Sequence, residues 1–312
     1  MVTVSAIKAD QFVYNPTLVL YFMNAFQREC EYPRQMLDSN LAMDRAKIAY
    51  IAQLPNGGQL ILDALNEERP MSIQRLADLF GVEDMLAAVK DEAFMASLLY
   101  YFGVLTFGGR GALGKLVLRI PNLVVRQMYV ERIRELLLPD LSQDELLRTA
   151  ETFYTSGDLQ PVCDFVEQGY FKIFANRDYR WANELTVKTA FLTLLFNDLF
   201  YVMDSEPALD RDYADLVMIV RPDMRQYALL DILIEFKYIS LQEVGMSGAE
   251  VREMSANTLK ELTPVQRKLT ESRAKLLDYR RVLQEVYGDA LRLRAYSVVS
   301  VGFDRLAWAE AA

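Results

Sequence analysis

The sequence predicts a protein of the α/β (α+β) class, helical towards its N-terminus and organised around a buried sheet towards its C-terminus. Three observations carry this reading. Apolar residues recur at helical spacing over 15–54, in Leu18-Val-Leu-Tyr-Phe-Met and from Met43 to Leu54. The stretch 214–238, ADLVMIVRPDMRQYALLDILIEFKY, reads as two Leu/Ile/Val-rich strands joined by a turn. Helical runs lie on both sides of that pair, and a strand-like Ala295-Tyr-Ser-Val-Val-Ser-Val301 follows. At 312 residues, 52% hydrophobic and 25% charged, the chain is globular in composition and long enough for about two domains.

Taken in order, Pro55-Asn-Gly-Gly58 breaks the first helical block. Short helices are expected at 59–66 and 72–80, a longer one at about 84–102, then a hairpin and a further helix from Asn122. Ser72-Ile-Gln-Arg-Leu-Ala-Asp-Leu-Phe-Gly81 resembles the first part of a helix-turn-helix, and 104–107 with 115–120 would form a wing. A winged-helix-like module is therefore expected. Such modules bind DNA or serve only as protein–protein spacers. Gly109-Arg-Gly-Ala-Leu-Gly114-Lys115 fits the phosphate-loop pattern GxxxxGK, but Leu116 stands where Ser or Thr would hold Mg²⁺. The residues after it alternate like a strand up to Pro121, whereas a phosphate loop opens a helix. This segment reads as a glycine-rich hairpin turn, with no ATP binding expected. Residues 139–175, from Pro139-Asp140 through Ser156-Gly157-Asp158, look like short helices. From about Asp178 the order is a helix carrying Glu184, a strand near 199–204, the Asp215 strand, the Glu235 strand, a long helix and a final strand.

Composition removes several function classes. Histidine is absent, which excludes Ser-His-Asp and Cys-His catalysis, HExxH zinc sites and histidine-metal nucleases. Hydrolysis by this chain must run on carboxylates, lysine and a metal ion. Cys30 and Cys163 are too few and too far apart for a zinc cluster or a disulfide scaffold. No secretory signal opens the chain, and the most apolar long stretch, 191–203, is interrupted by Asn197-Asp198 and too short to span a membrane. A cytoplasmic protein with reduced thiols is expected.

The net charge of −9 argues mildly against nucleic acid as a partner, but local distribution matters more. Arg110, Lys115, Arg119, Arg126, Arg132 and Arg134 face a single acid, Glu131, and are the better candidates for a phosphate contact. The run from Lys260 to Arg281 is interleaved with Glu261, Glu271 and Asp278, so it reads as a solvated helix face.

The chemistry concentrates in 214–238. Asp215 opens the first strand and Glu235-Phe236-Lys237 ends the second, charged residues in an apolar setting. Buried charge is costly unless it is paired or coordinates a metal. Pro222-Asp223 signals a turn, which brings Asp215 opposite roughly 233–235. Alternation aims Glu235 and Lys237 to one face and Phe236 to the other. Two carboxylates beside an ammonium suit Mg²⁺ (or Mn²⁺), which takes one or two protein carboxylates and keeps several waters. The D…ExK pattern alone serves equally for a salt bridge at a strand end. The helix upstream and the helix and strand downstream favour the site.

This arrangement resembles the PD-(D/E)XK nuclease superfamily, with its acid on one strand and (D/E)-x-K on the next. Trp181-Ala-Asn-Glu184 begins a helix-like run at the place where that superfamily often carries a further glutamate. Tyr14-Asn-Pro16, Ser97-Leu-Leu-Tyr-Tyr-Phe-Gly103, Ile120-Pro-Asn122 and Leu276-Leu-Asp-Tyr279-Arg are similar to the C-terminal half of bacterial proteins that join an AAA-ATPase-like domain to such a nuclease domain. The resemblance spans most of the chain without that family's ATPase region, as in a C-terminal fragment or a shortened form. The expected domains are then a helical, winged-helix-like one over 1–145, for which the resemblance implies a spacer role, and a helical connector over 146–177. Over 178–312 comes the restriction-endonuclease-like domain that the resemblance implies, with a mixed central sheet flanked by helices. The resemblance further implies Asp215 and Glu235 as ligands of Mg²⁺ (or Mn²⁺), Glu184 as an outer or additional ligand, and Lys237 as the catalytic lysine. Lys275, where the family often has glutamine, would line a DNA groove together with Arg110 and Lys115. Tyr213-Ala214 replaces a Gly-Arg-like pair common before the first Asp, and 240–264 would form a loop or helix near the groove. The implied activity is metal-dependent cleavage of DNA; the alternative is an inactive adaptor that binds DNA or a partner AAA ATPase.

Overall fold

The computed structural model describes residues 16–31, 42–54, 57–65, 71–77, 91–121, 123–137, 143–172, 184–197, 199–204, 208–209 and 212–311. It is a mixed α/β protein of the α+β kind, divided into two compact units, Met1–Leu136 and Leu137–Ala312. Among the described residues, no helix is long and apolar enough to cross a membrane.

In the first unit, helices α1 (Pro16–Glu29), α2 (Ala42–Gln53) and α3 (Gly57–Ala64) precede a short strand β1 (Met71–Ile73). Helix α4 (Glu92–Tyr101), the hairpin β2 (Thr106–Arg110) and β3 (Leu116–Arg119), and helix α5 (Leu123–Leu137) follow. Gly57 starts α3 where a Cβ would collide with the Ile51 carbonyl, so the corner between α2 and α3 requires glycine. The strands pair antiparallel in the order β1-β3-β2. The helix expected over 72–80 is not formed across its described part. Met71 and Ile73 are buried, Ser72 is exposed, and they pair with Leu118, Leu116 and Val117. Period-two burial against β3 overrides the local helical pattern there. In the described part of the stretch expected as a helix over 84–102, a helix spans Glu92–Tyr101, and Asp91 accepts the Phe94 amide at 2.8 Å as its N-cap. Tyr14-Asn15, Pro55-Asn56, Phe80-Gly81, 84–90, Asn122 and Pro139-Asp140 lie outside the described residues. The GxxxxGK segment is a hairpin loop between antiparallel strands, closed by the Gly111 amide on the Lys115 carbonyl at 2.9 Å.

The second unit opens with α6 (Gln143–Ser156) and α7 (Gln160–Phe165), which continues into a wide turn at Val166–Tyr170. Residues expected as a connector are built into this unit. The Tyr154 hydroxyl donates to the Leu195 carbonyl at 2.9 Å, and the Tyr296 hydroxyl to the Gly157 carbonyl at 2.6 Å. Helix α8 (Glu184–Leu195) leads to β4 (Tyr201–Asp204), the small pair β5 (Ala208–Leu209) and β6 (Asp212–Tyr213), then β7 (Leu216–Val220) and β8 (Asp231–Ile239). Three short helical segments and the 25-residue α9 (Thr263–Tyr287) return the chain to β9 (Leu293–Val301), and β10 (Arg305–Glu310) follows. The sheet order is β10-β9-β8-β7-β4. Among the described residues of this sheet, only the β8–β9 pair is parallel, as a crossover through α9 requires.

One expectation changes here, and one open alternative is resolved. Beyond the expected last strand lies β10, with Leu306 and Ala307 buried. The polar span 240–264 is helical, because Ser240…Glu243 and Ser247…Glu250 each close a capping box and Ser255 caps a third turn. Ile232, Leu233, Ile234, Phe236 and Ile239 of β8 are at most 1% exposed. Each such side chain contributes about 1.5–3 kcal/mol on burial, which offsets the cost of the charges carried by the same strand.

Candidate active site

The site forms where the sheet splits. Strand β8 pairs with β9 over its full length, from Asp231↔Leu293 to Ile239↔Val301, whereas β7 pairs only with Ile232, Leu233 and Ile234. Beyond Ile234 the β7 side of β8 needs another partner, since a buried amide without one is costly. Asp215, immediately before β7, supplies it: Oδ2 accepts the Phe236 amide at 2.7 Å. Continuing the β7–β8 register sets Asp215 across from Glu235.

Alternation along β8 then places Glu235 and Lys237 on the face covered by α9, where Leu233 packs with Leu276 and Tyr279. Phe236 points the other way, its ring 5.0 Å from that of Phe191 in α8. Strand β8 runs two residues past Lys237, so the ExK triplet lies within the strand and not at its end.

Around the two buried acids stand three lysines. Lys237 Nζ donates to Glu235 Oε1 at 3.0 Å, to the Phe236 carbonyl at 2.6 Å and to Glu184 Oε1 at 3.4 Å. Lys275, from α9, lies 3.7 Å from Glu235 Oε1. Lys188, from α8, lies 3.7 Å from Asp215 Oδ1. Asp215, Glu235, Lys237, Glu184 and Lys275 are thus linked in one cluster. Sequence reasoning missed Lys188. Its signal was a lone charge in the apolar run Leu185 to Leu195, one turn after Glu184. Trp181-Ala182-Asn183 lie outside the described residues. Arg110 and Lys115 belong to the hairpin of the first unit, where Arg110 donates to the Gly114 carbonyl at 3.1 Å. Arg126 of the basic run is only 5% exposed and offers no surface for a phosphate.

Burial and then the Asp215 charge push the Glu235 carboxyl up to about 7, against the pull of Lys237 and Lys275. Burial lowers the pKa of Lys237, but Glu235, Glu184 and Asp215 together outweigh it and the pKa is raised. Lys237 is therefore a firm cation and a hydrogen-bond donor. Glu235 Oε2 is buried and has no hydrogen-bond partner.

Among the described residues, no three His, Cys, Asp or Glu side chains gather as a metal cage. Two carboxylates with a spare buried oxygen still fit a hydrated divalent cation, since Mg²⁺ asks for one or two carboxylates and fills its other positions with water and substrate oxygens. Glu184 reaches the cluster through Lys237. No family model, curated protein or solved structure matches the chain.

Proposed function

We propose that the chain is a divalent-cation-dependent nuclease that hydrolyses phosphodiester bonds in DNA, with a C-terminal domain of the PD-(D/E)XK, restriction-endonuclease-like kind. The observation that carries this reading is the convergence of Asp215, Glu235 and Lys237 at the split in the sheet, with Glu235 Oε2 unpartnered. A mixed sheet with α8 and α9 packed against β8 supports the fold reading. Asp215 and Glu235 would hold Mg²⁺ or Mn²⁺, which when bound lowers the pKa of a water and neutralises phosphate charge. Lys237, kept cationic by its three acids, orients the attacking water and stabilises charge on the non-bridging phosphate oxygens; it is not the base. Water adds to phosphorus as the P–O bond to the leaving sugar oxygen breaks; the proton lost by the water passes to solvent, and the leaving oxygen takes one up from solvent. Lys275, with 43% of its side chain exposed, meets the backbone of the approaching strand. A cytoplasmic setting accords with two free cysteines, Cys30 and Cys163. The helical first unit, with its three-stranded sheet, is assigned as a winged-helix-like spacer.

The test is cleavage of plasmid and single-stranded DNA with Mg²⁺ or Mn²⁺. Asp215→Ala and Lys237→Ala are each expected to lower the rate by about 10²-fold or more. Cleavage unchanged by both substitutions overturns the proposal.

One observation favours a second reading. Lys188, Lys237 and Lys275 already neutralise the two buried acids from within the chain. An inactive adaptor that binds DNA or an AAA-ATPase partner would keep such a cluster as structure. Retained DNA or ATPase binding, with neither Mn²⁺ binding nor cleavage, selects that reading.

A further inference from the structure

Ser297 lies on β9 at the register position of Glu235. Side chains at one register of neighbouring parallel strands leave the sheet on the same face, with the strands about 4.8 Å apart. On that face β9 otherwise presents Leu293, Ala295, Val299 and Val301, all buried in apolar clusters. Ser297 is the one hydroxyl in this stripe, and it stands beside the position where Glu235 interrupts the apolar stripe of β8. It is 2% exposed, and its Oγ has no hydrogen-bond partner.

Three buried side-chain polar atoms among the described residues lack partners, and two of them, Glu235 Oε2 and Ser297 Oγ, occupy this single register. Buried polar atoms in native folds are nearly always partnered, so two orphans side by side point to one shared ligand. They do not hydrogen-bond to each other, although a hydroxyl can donate to a carboxylate. Both can accept. The ligand that suits two adjacent acceptors presents outward-pointing hydrogens and carries positive charge, which describes the water shell of a hard divalent cation.

We infer that Ser297 is a positioning residue of the cation site, its hydroxyl and Glu235 Oε2 together receiving a hydrated divalent ion. The inference rests on the metal-site reading above and adds a residue from a strand outside the D…ExK pattern. Ser297 holds the water shell on the β9 side, while Asp215 approaches from the β7 side.

The test is titration of the full chain with Mn²⁺ alone by calorimetry, for wild type and Ser297→Ala, with melting temperatures in EDTA. Ser297→Ala is expected to weaken Mn²⁺ binding about tenfold, in the range seen for residues that support metal ligands. Its melting temperature in EDTA should not fall, because the hydroxyl removed makes no hydrogen bond in the fold. Equal Mn²⁺ affinities for the two proteins overturn the inference and leave the metal site standing. A wild-type chain that binds no Mn²⁺ overturns the metal-site reading itself.

Discussion

Asp231 and Glu235 lie four residues apart on β8 and are both nearly inaccessible, at 0% and 2% exposure. Their surroundings differ in kind. Asp231 Oδ1 accepts the Val220 amide and Arg225 Nη2, each at 2.8 Å, and Oδ2 accepts Arg225 Nη1 at 2.6 Å and the Arg292 amide at 2.8 Å. Arg292 in turn donates to the Tyr227 and Arg225 carbonyls, which fixes the β7–β8 turn against the start of β9. Every oxygen site on Asp231 has work within the fold. Glu235 has lysines on Oε1 and no partner on Oε2. A saturated buried acid stabilises its own fold, whereas one with spare valence is held ready for something else. Burial alone does not separate the two cases; hydrogen-bond completeness does.

The largest expected effect tests the saturated member. Asp231→Ala leaves the Arg225 guanidinium and two backbone amides without their acceptor. Breaking a buried pair from one side costs about 3–5 kcal/mol, so urea unfolding should show a loss of that size. A loss below about 1 kcal/mol would remove the distinction between the two acids.

For Glu235 the sign reverses. Its folded pKa of about 7 stands above the ordinary 4.5, so the folded state holds this proton more tightly than the unfolded chain does. The stabilisation from that proton is complete below about 4.5 and is lost as pH rises through about 7. Above that pH the ionised group weakens the fold by up to roughly 3 kcal/mol. Glu235→Gln is therefore expected to leave stability nearly unchanged at pH 5 and to raise it by about 1–2 kcal/mol at pH 8, measured in EDTA; the lost Lys237 partner trims the gain. Because cation binding needs the carboxylate, the Mn²⁺-induced rise in melting temperature of the wild type should also grow between pH 6 and pH 8. A Gln variant less stable than wild type at pH 8 would class Glu235 with Asp231.

The contrast also marks what the chain discloses before it folds. The hairpin of β7 and β8, its turn at Pro222–Met224, the long α9 and the glycine-rich loop were all legible, because alternation, turn residues and helical spacing are local signals. The capping boxes at Ser240 and Ser247 were equally local, yet they went unread and the span stayed open between loop and helix. β1 was not legible, because its three residues become a strand only by pairing with β3, more than forty positions away. Within the site, Asp215, Glu235 and Lys237 announced themselves as charges in apolar strands. Asp231 carries the same signature and was not singled out. Lys188 and Ser297 join the cluster through α8 and through a parallel register created by a crossover, neither of which is written in sequence spacing.

The smallest expected effect on the fold lies at the rim. Lys275 approaches Glu235 Oε1 at 3.7 Å, but its side chain is 43% exposed, so water screens the pair and its worth to stability is below about 1 kcal/mol. Its exposure on α9 instead leaves the charge available to a phosphate. Lys275→Gln should therefore shift urea unfolding by less than about 1 kcal/mol, weaken DNA binding at low salt, and reduce the slope of log affinity against log salt by about 1. The outcome that breaks this assignment is a stability loss above about 2 kcal/mol with an unchanged salt slope. Lys275 would then serve Glu235 as Arg225 serves Asp231, and the cluster would be structural out to its rim.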